Sequence, residues 1–345
     1  MSSSTQKSAI VSGTKGNMTE PITVKIVDAP IPEPGAEEVL IEVVVSGSNP
    51  KDWKIPPWQG KNLNTGDDIA GLVHKVGKNV TEFKKGDRVA AFHVMMSDHG
   101  SFAQYSIAPQ HTTFHIPEKT SFEEAATLPL AAMTSVIGMF DRLQLPTPLA
   151  PAKEELPLLV YGGSSAVGAF VIKLAVLANI HPIIAVAGSG GDYAKSIGAD
   201  HIVDYRNKNV VEDIKKILGG KKLLRAYDAI SEGDSVKDIS AVLADGGLHT
   251  TVLPVPEEET STRTKILRTM VGDAHSGAPY LQDLASAYYR LFGKWLQEGR
   301  FEPHPYEVVK GGLEGVEEGL RRLQEGKVSA KKLVFKIADT PGLKA

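Results

Sequence analysis

The spacing of apolar and polar positions changes character twice along this chain. Residues 8–11, 22–28 and 39–46 are short apolar or alternating runs, separated by turn signals such as Pro30-Ile31-Pro32-Glu33-Pro34-Gly35. Residues 67–77, the turn and strand at 83–92, and 100–107 continue the pattern. Strands that follow one another with no long helix between them predict a separate, mostly β unit. Within it, residues 46–54 break the alternation. The proline after Asn49 favours an extended bend there, with a short helix just beyond and a loop from Lys54 to Thr65.

The first change comes at Ser121. Ser121-Phe122-Glu123-Glu124 resembles a helix-starting capping box without its usual spacing, and residues 131–143 carry a helical period. A proline-rich loop covers 145–157. From 158 onward strands and helices alternate, with strands expected at 158–161, 183–187, 201–204, 226–231 and 247–253, which predicts a parallel sheet covered on both faces. The second change follows Pro279, after which the chain reads as a long amphipathic helix (281–299), a shorter one (312–325) and a last strand (331–336).

The stretch LPLLVYGGSSAVGAFVIKL at 156–174 stands at the start of the alternating part. An apolar run meets the turn Gly162-Gly163-Ser164-Ser165-Ala166-Val167-Gly168, and a helix-period segment follows. A strand, a tight turn and a helix N-terminus can hold a pyrophosphate on free backbone N–H groups. Two other readings fit the same residues. Small residues let any helix pack closely on a strand, and Gly162 to Ala166 nearly spells the G-x-S-x-G elbow of α/β-hydrolases, with Asp228 and His249 later in the order such enzymes need. For a parallel sheet, the ligand crevice lies beyond the C-terminal strand ends. That collects residues 164–168, Gly188 to Gly191, Tyr205, 231–233 and Leu253-Pro254.

Composition narrows the function. The 345 residues are 42% hydrophobic and 23% charged with a formal charge of −3, too little positive charge for general nucleic-acid binding and enough length for two domains. No apolar run approaches the ~20 residues of a membrane span, and the opening MSSSTQKSAI lacks a signal-peptide core, so a cytoplasmic protein is expected. The absence of cysteine removes disulfides, thiolate nucleophiles and cysteine-ligated zinc together. The 10 histidines show no metal-ligand spacing, and His93 and His99 read as solvated or hydrogen-bonded loop residues. No metal is expected.

The choice between nucleotides falls on the end of the second strand of the alternating part. An NAD-preferring fold places an acid about 20 residues past the glycines to bond the ribose 2′-OH. This chain has Gly188-Ser189-Gly190-Gly191 there and no carboxylate before Asp192. Backbone N–H groups with the Ser189 hydroxyl can accept a 2′-phosphate that an acid would repel, so NADPH is favoured.

Eight motifs in order, GSNPKDWK, GDDIAGLVHKVGKNV, KKGDRVAAF, GSFAQY, SFEEAATLPLAAMTS, YGGSSAVG, IGADHIVDY and GKVSAKKLVF, resemble those of medium-chain dehydrogenase/reductases. They are most similar to the zinc-free branch holding quinone oxidoreductases and fungal trans-acting enoyl reductases, over residues 7–337. The resemblance implies an α/β protein with a GroES-like β domain (1–130 and 280–345) interrupted by a doubly wound Rossmann domain (131–279). Zinc members place a cysteine where this chain has Ser46 to Asp52, and a His-Glu pair where it has Asp67-Asp68. The implied chemistry is hydride transfer from NADPH to an activated C=C of an enone, enoyl thioester or quinone. A non-catalytic NADPH-binding protein of the same fold is the alternative.

By the family pattern, Asn49, Pro50, Lys51 and Asp52 lie near the nicotinamide. Ser164, Ser165, Ala166 and Val167 meet the pyrophosphate, and Gly188, Ser189, Gly190, Gly191 and Tyr205 the adenosine phosphate. Leu253, Pro254, Val334 and Phe335 border the cofactor, while Leu130, Met133, Thr134 and Ile137 line the substrate side. Some relatives use a tyrosine as proton donor where this chain has Trp58, which leaves Lys54 as the nearest titratable catalytic candidate. Partners follow in kind: a small-molecule or acyl-thioester substrate, a polyketide synthase, and a monomer or homodimer.

Overall fold

The computed structural model describes residues 5–256 and 263–343. The chain divides into two units, one built from the segments up to Leu130 and from Gly272 onward, the other from Ala131–Val271.

The first unit begins with β1 (Thr5–Ser12) and β2 (Thr23–Pro30), an antiparallel pair. The long strand β3 (Glu38–Gly47) then feeds helix α1 (Pro50–Gln59). Pro50 sits in its first turn, where its missing N–H costs nothing. Pro56 and Pro57 lie in the final turn with the helical φ that proline already prefers, and Gly60, left-handed at φ 66°, ends it by donating its N–H to the Pro56 carbonyl at 2.7 Å. Lys54 to Gln59, expected in a loop, are therefore helical.

β4 (Asp68–Val76), β5 (Arg88–Phe92), β6 (Tyr105–Pro109) and β7 (Thr113–His115) follow. Next comes α2 (Phe122–Ala125), and here the expectation of an irregular capping box is corrected. Ser121 Oγ accepts the Glu124 N–H at 3.1 Å and Glu124 Oε2 accepts the Ser121 N–H at 2.8 Å, which closes the box at its regular spacing.

The second unit holds most of α3 (Pro129–Val136), which runs on as a π-helical turn at Ile137–Arg142. Its sheet is formed by β8 (Leu158–Tyr161), β9 (Ile183–Val186), β10 (His201–Val203), β11 (Arg225–Asp228), β12 (Leu248–Thr251) and β13 (Lys265–Arg268). All pairings are parallel, in the order β10-β9-β8-β11-β12-β13. Numbered within this unit the order is 3-2-1-4-5-6, the doubly wound dinucleotide-binding arrangement. The direction of winding reverses between β8 and β11. Helices α4 (Ala166–Leu177), α5 (Gly191–Ser196), α6 (Val210–Leu218) and α7 (Ser235–Val242) connect the strands. Leu159, Ile184, Val186, Ile214, Ala226 and Ile239 are among the buried residues of its core.

The chain then returns to the first unit through α8 (Asp273–Ser276), α9 (Pro279–Glu298), β14 (Tyr306–Val309), α10 (Val316–Gln324) and β15 (Lys332–Lys336). β15 pairs antiparallel with β3 and carries β14 on its other edge, so the last strand joins a sheet of order β14-β15-β3-β4-β5-β7. Ile41, Val43, Ile69, Val89, Phe102, Leu333 and Phe335 share the core of this unit. Three strands, β7, β13 and β14, lie outside the expected set. Among the described residues no helix is long and apolar enough to cross a membrane.

Candidate functional site

In the second unit the glycine turn is forced by contact. Gly162 is left-handed at φ 80°, and a Cβ on Gly168 would lie 2.2 Å from the Gly162 carbonyl oxygen, so only glycine lets α4 start this close to β8. Ser165 caps the helix, its hydroxyl accepting the Gly168 N–H at 3.1 Å. Its hydroxyl is thereby a helix cap before it is anything else. The amides of Ala166 and Val167 have no acceptor within the helix, and both residues are half-buried. An anion fits there.

Beyond β9, Gly188 lies under Tyr205. A Cβ on Gly188 would meet the Tyr205 ring 2.9 Å away, while the ring itself is 52% exposed and Ser189 is exposed beside it. The fold thus brings Tyr205 against Gly188, 17 residues earlier in sequence, and the sequence has no carboxylate among residues 188–191. Leu253 and Pro254 follow the end of β12, next to Val252, whose N–H donates to Ser231 Oγ at 2.9 Å. Of the segment that follows Pro254, residues 257–262 lie outside the described residues.

The hydrolase arrangement is not built. Asp228 Oδ1 accepts the N–H groups of Ile230 and Ser231 at 2.9 and 2.7 Å, and Oδ2 accepts the Ser235 hydroxyl at 2.6 Å. His249 Nε2 is 3.7 Å from Asp228 Oδ2, beyond hydrogen-bond reach. The carboxylate orders its own loop instead.

On α3 and the turn after it, Leu130, Met133, Thr134 and Ile137 are all buried. The Thr134 carbonyl accepts the Tyr227 hydroxyl at 2.8 Å, and Ser135 Oγ donates to the Val167 carbonyl at 2.9 Å, so α3 is fastened to the first turn of α4.

The first unit contains a buried charge cluster around the start of α1. Asn49, extended at φ −138° and ψ 154°, donates its N–H to Asp52 Oδ2 at 2.7 Å and its side-chain amide to Asp68 Oδ2 at 2.7 Å. Lys332, on β15, donates to Asn49 Oδ1 at 3.0 Å and pairs with Asp68 Oδ2. Asp68 Oδ1 accepts the Leu130 N–H at 2.7 Å. One carboxylate therefore holds the α1 cap, the last strand and the start of α3.

Beside it, the Lys51 ammonium meets Asp52 Oδ1 at 2.7 Å, Asp67 Oδ2 and the Thr65 carbonyl. Asp67 Oδ1 and His93 Nδ1 are 2.8 Å apart, and His93 Nε2 faces the Asp98 carbonyl at 2.8 Å and Ser97 Oγ at 3.2 Å. Burial pushes the Asp52 carboxyl up to about 7 against the pull of Lys51, with Asp67 pushing it further. Burial acts likewise on Asp67, but Lys51 and His93 outweigh it and hold its carboxyl low. Burial works against the Lys51 ammonium, and Asp52 and Asp67 overcome that and raise its pKa. Lys51 is thus held between two carboxylates, and Asp52 both closes the α1 capping box and pairs with it.

Lys54 is also buried, with its ammonium 5.4 Å from the centre of the Trp53 ring. Val334 and Phe335 are fully buried on β15, the Phe335 ring edge-on to Phe102 at 5.5 Å. Among the described residues no group of three or more histidines and acids could hold a metal ion. Sequence reasoning missed His93 and Lys332. In Lys331-Lys332-Leu333 nothing but strand alternation distinguishes the inward lysine from its exposed neighbour, and the Asp67 partner of His93 is 26 residues away.

Residues 35–118 match the family model of the alcohol dehydrogenase GroES-like domain, and residues 166–271 match that of the zinc-binding dehydrogenases. The chain is 38% identical over 322 residues to the trans-enoyl reductase fsr4 of Gibberella fujikuroi, covering 90% of this chain and 93% of that one. It is 32% identical over 329 residues to the trans-enoyl reductase ACTTS2 of Alternaria alternata, covering 91% and 96%. A solved quinone oxidoreductase of Pseudomonas syringae superposes with a TM-score of 0.75 at 22% identity, over 95% of this chain and 99% of that one, which speaks for the fold. Such a fold and family imply a nicotinamide cofactor, NAD(H) or NADP(H). At this identity and coverage the chain belongs to the medium-chain dehydrogenase/reductase family of oxidoreductases, among relatives named trans-enoyl reductases.

Proposed function

We propose that this protein is an NADPH-dependent, zinc-independent reductase of C=C bonds conjugated to a carbonyl, taking enoyl thioesters, enones or quinones, alone or beside a polyketide synthase. The observation that carries the zinc-independent part is the pairing of Lys51 with Asp67 and of Lys332 with Asp68. The two acids stand where zinc-binding relatives have ligands, and each already holds an ammonium. A divalent cation brought there would be repelled by two fixed positive charges.

Bound NADPH supplies the hydride. The amides of Ala166 and Val167, with Ser164 and Ser165 beside them, hold the pyrophosphate. Gly188, Ser189, Gly190 and Gly191 with Tyr205 take the 2′-phosphate, because backbone N–H groups and hydroxyls attract what a carboxylate would repel. Leu253 and Pro254 border the cofactor, while Val334 and Phe335 pack fully buried on β15. Asn49, Pro50, Lys51 and Asp52 face the nicotinamide end, and Asn49 is held by Asp68. Leu130 and Thr134 line the substrate side, with Met133 and Ile137 fully buried in the same helix and the turn after it. Lys54 donates to the carbonyl oxygen on which charge develops as the double bond is reduced.

The test is NADPH consumption with a panel of short enoyl thioesters, enones and quinones, with and without chelator. The expected result is turnover that favours NADPH over NADH and does not respond to chelator. Tight NADPH binding with every acceptor left unreduced would instead support the non-catalytic alternative.

A further inference from the structure

We infer that Ser231 is a positioning residue for the bound nucleotide, holding the segment that carries Leu253 and Pro254 in fixed relation to the glycine turn. The inference rests on the reading above that this segment borders the cofactor. It adds the residue that keeps the border in place.

The turn that presents Ser231 is made by an acid at a strand end. Asp228, the last residue of β11, is fully buried, and its Oδ1 accepts the N–H groups of Ile230 and Ser231 at 2.9 and 2.7 Å. A carboxylate that bonds the backbone two and three residues ahead folds the chain into a tight turn. Ser231 sits in it at φ 56°, a left-handed conformation that is uncommon outside glycine and stays only where the neighbours hold it. Oδ2 of the same carboxylate accepts the Ser235 hydroxyl at 2.6 Å, which ties the turn to the start of α7.

Held in this way, the serine side chain continues what the backbone leaves off. The parallel ladder between β11 and β12 ends at Asp228 and Thr251. One residue further on, the Val252 N–H donates to Ser231 Oγ at 2.9 Å, and the hydroxyl donates to the Asp228 carbonyl at 3.1 Å. Ser231 is 8% exposed, so the contact is made largely out of water. Leu253 and Pro254 follow directly.

On its other side the same turn lies against the glycine turn. The Ala229 N–H donates to the Tyr161 carbonyl at 3.0 Å, and a Cβ on Gly162 would lie 2.5 Å from the Ile230 side chain. Ile230 therefore meets the segment after β8 while Ser231 meets the segment after β12, and two adjacent residues join them. β8 and β11 flank the point where the winding reverses, which is where doubly wound sheets bind their ligands. With the pyrophosphate on the glycine turn and the adenosine phosphate beyond β9, the nicotinamide half extends over the ends of β11 and β12. Ser231 fixes that rim.

The experiment compares wild type with Ser231→Gly, because glycine takes the left-handed conformation without strain and the variant loses the hydroxyl alone. Calorimetric titration gives Kd for NADPH and for 2′,5′-ADP, which carries the adenosine end without the nicotinamide. Hydrogen exchange of the segment holding Val252 is followed in the free protein. The loss of one hydrogen bond should raise Kd for NADPH about threefold to tenfold, leave that for 2′,5′-ADP unchanged and speed exchange at Val252. Equal NADPH affinity in the two proteins, an equal loss for both ligands, or unchanged exchange overturns the assignment. Ser231→Ala removes the hydroxyl and keeps the strain, so a loss of NADPH affinity in Ser231→Ala but not in Ser231→Gly overturns the role of the hydroxyl. A wild type that binds neither ligand removes the cofactor reading and this role with it, whereas the exchange result stands by itself as a report on the Ser231 contact.

Discussion

Lys332 and Asp68 form an ion pair whose side chains are 3% and 0% exposed, between strands that stand 264 residues apart in the chain. Neither group could stay charged alone in that place, because a carboxylate taken out of water without a partner is strongly destabilised. The pair is completed by Asn49, which donates to the same carboxylate and accepts from the same ammonium. Replacing Lys332 by Met should lower stability by about 3–5 kcal/mol in urea unfolding. The double variant Asp68→Asn with Lys332→Met should recover part of that loss, since no unpaired charge is left. A single variant as stable as wild type would mean that the pair contributes nothing.

The glycine turn predicts a sharper failure. Gly168→Ala puts a Cβ 2.2 Å from a backbone oxygen, and no side chain can move aside to relieve it. We expect a loss of roughly 2 kcal/mol or more and weaker binding of NADPH, measured by denaturation and by fluorescence titration. Unchanged affinity would detach this turn from the cofactor.

Nucleotide preference is expected to reside in Ser189. Ser189→Asp places a negative charge beside Gly188 and Tyr205, where the proposed 2′-phosphate lies, and should raise KM for NADPH about tenfold or more with little change for NADH. Steady-state kinetics with both nucleotides decide it, and equal effects on the two would remove the corner from the phosphate.

His275 predicts a pH dependence. Its pKa is lowered from the ordinary 6.5 to about 4 because burial disfavours the imidazolium. Between these values the unfolded chain binds the proton and the folded one does not, so stability is lost as pH falls from about 6.5 toward 4. About 3 kcal/mol is involved. Urea midpoints in His275→Asn should be flatter over that range than in wild type.

The fold was legible where burial repeats at a fixed spacing. β8 and β9, buried on both faces, read as continuous apolar runs, and β3 reads from its alternation. β13 was not legible because Lys265–Arg268 is an edge strand with both end residues exposed and no apolar side to reveal it. Helix α1 was hidden by Pro56-Pro57, which signal a loop unless they fall in a last turn whose carbonyls find other partners. The proposed cofactor half of the site lies in contiguous motifs, so local chemistry was enough to propose it. The charge cluster could not, because it joins Asn49, Asp67, His93 and Lys332 from four distant segments, and each looks like an ordinary polar residue in its own stretch.

The discontinuity of the first unit bears on how the protein is made. Asp68 emerges from the ribosome long before Lys332, and the whole second unit is synthesised in between. Until β15 arrives, the carboxylate at the centre of the first unit has no ammonium to bury against, so that unit, begun first, is finished last. The second unit contains its own sheet and core and needs nothing from the final strand. Synthesis from the N-terminus therefore favours a nascent chain with a folded middle and an open beginning, which still lacks the Lys332 ammonium and the core side chains from Val309 to Ile337.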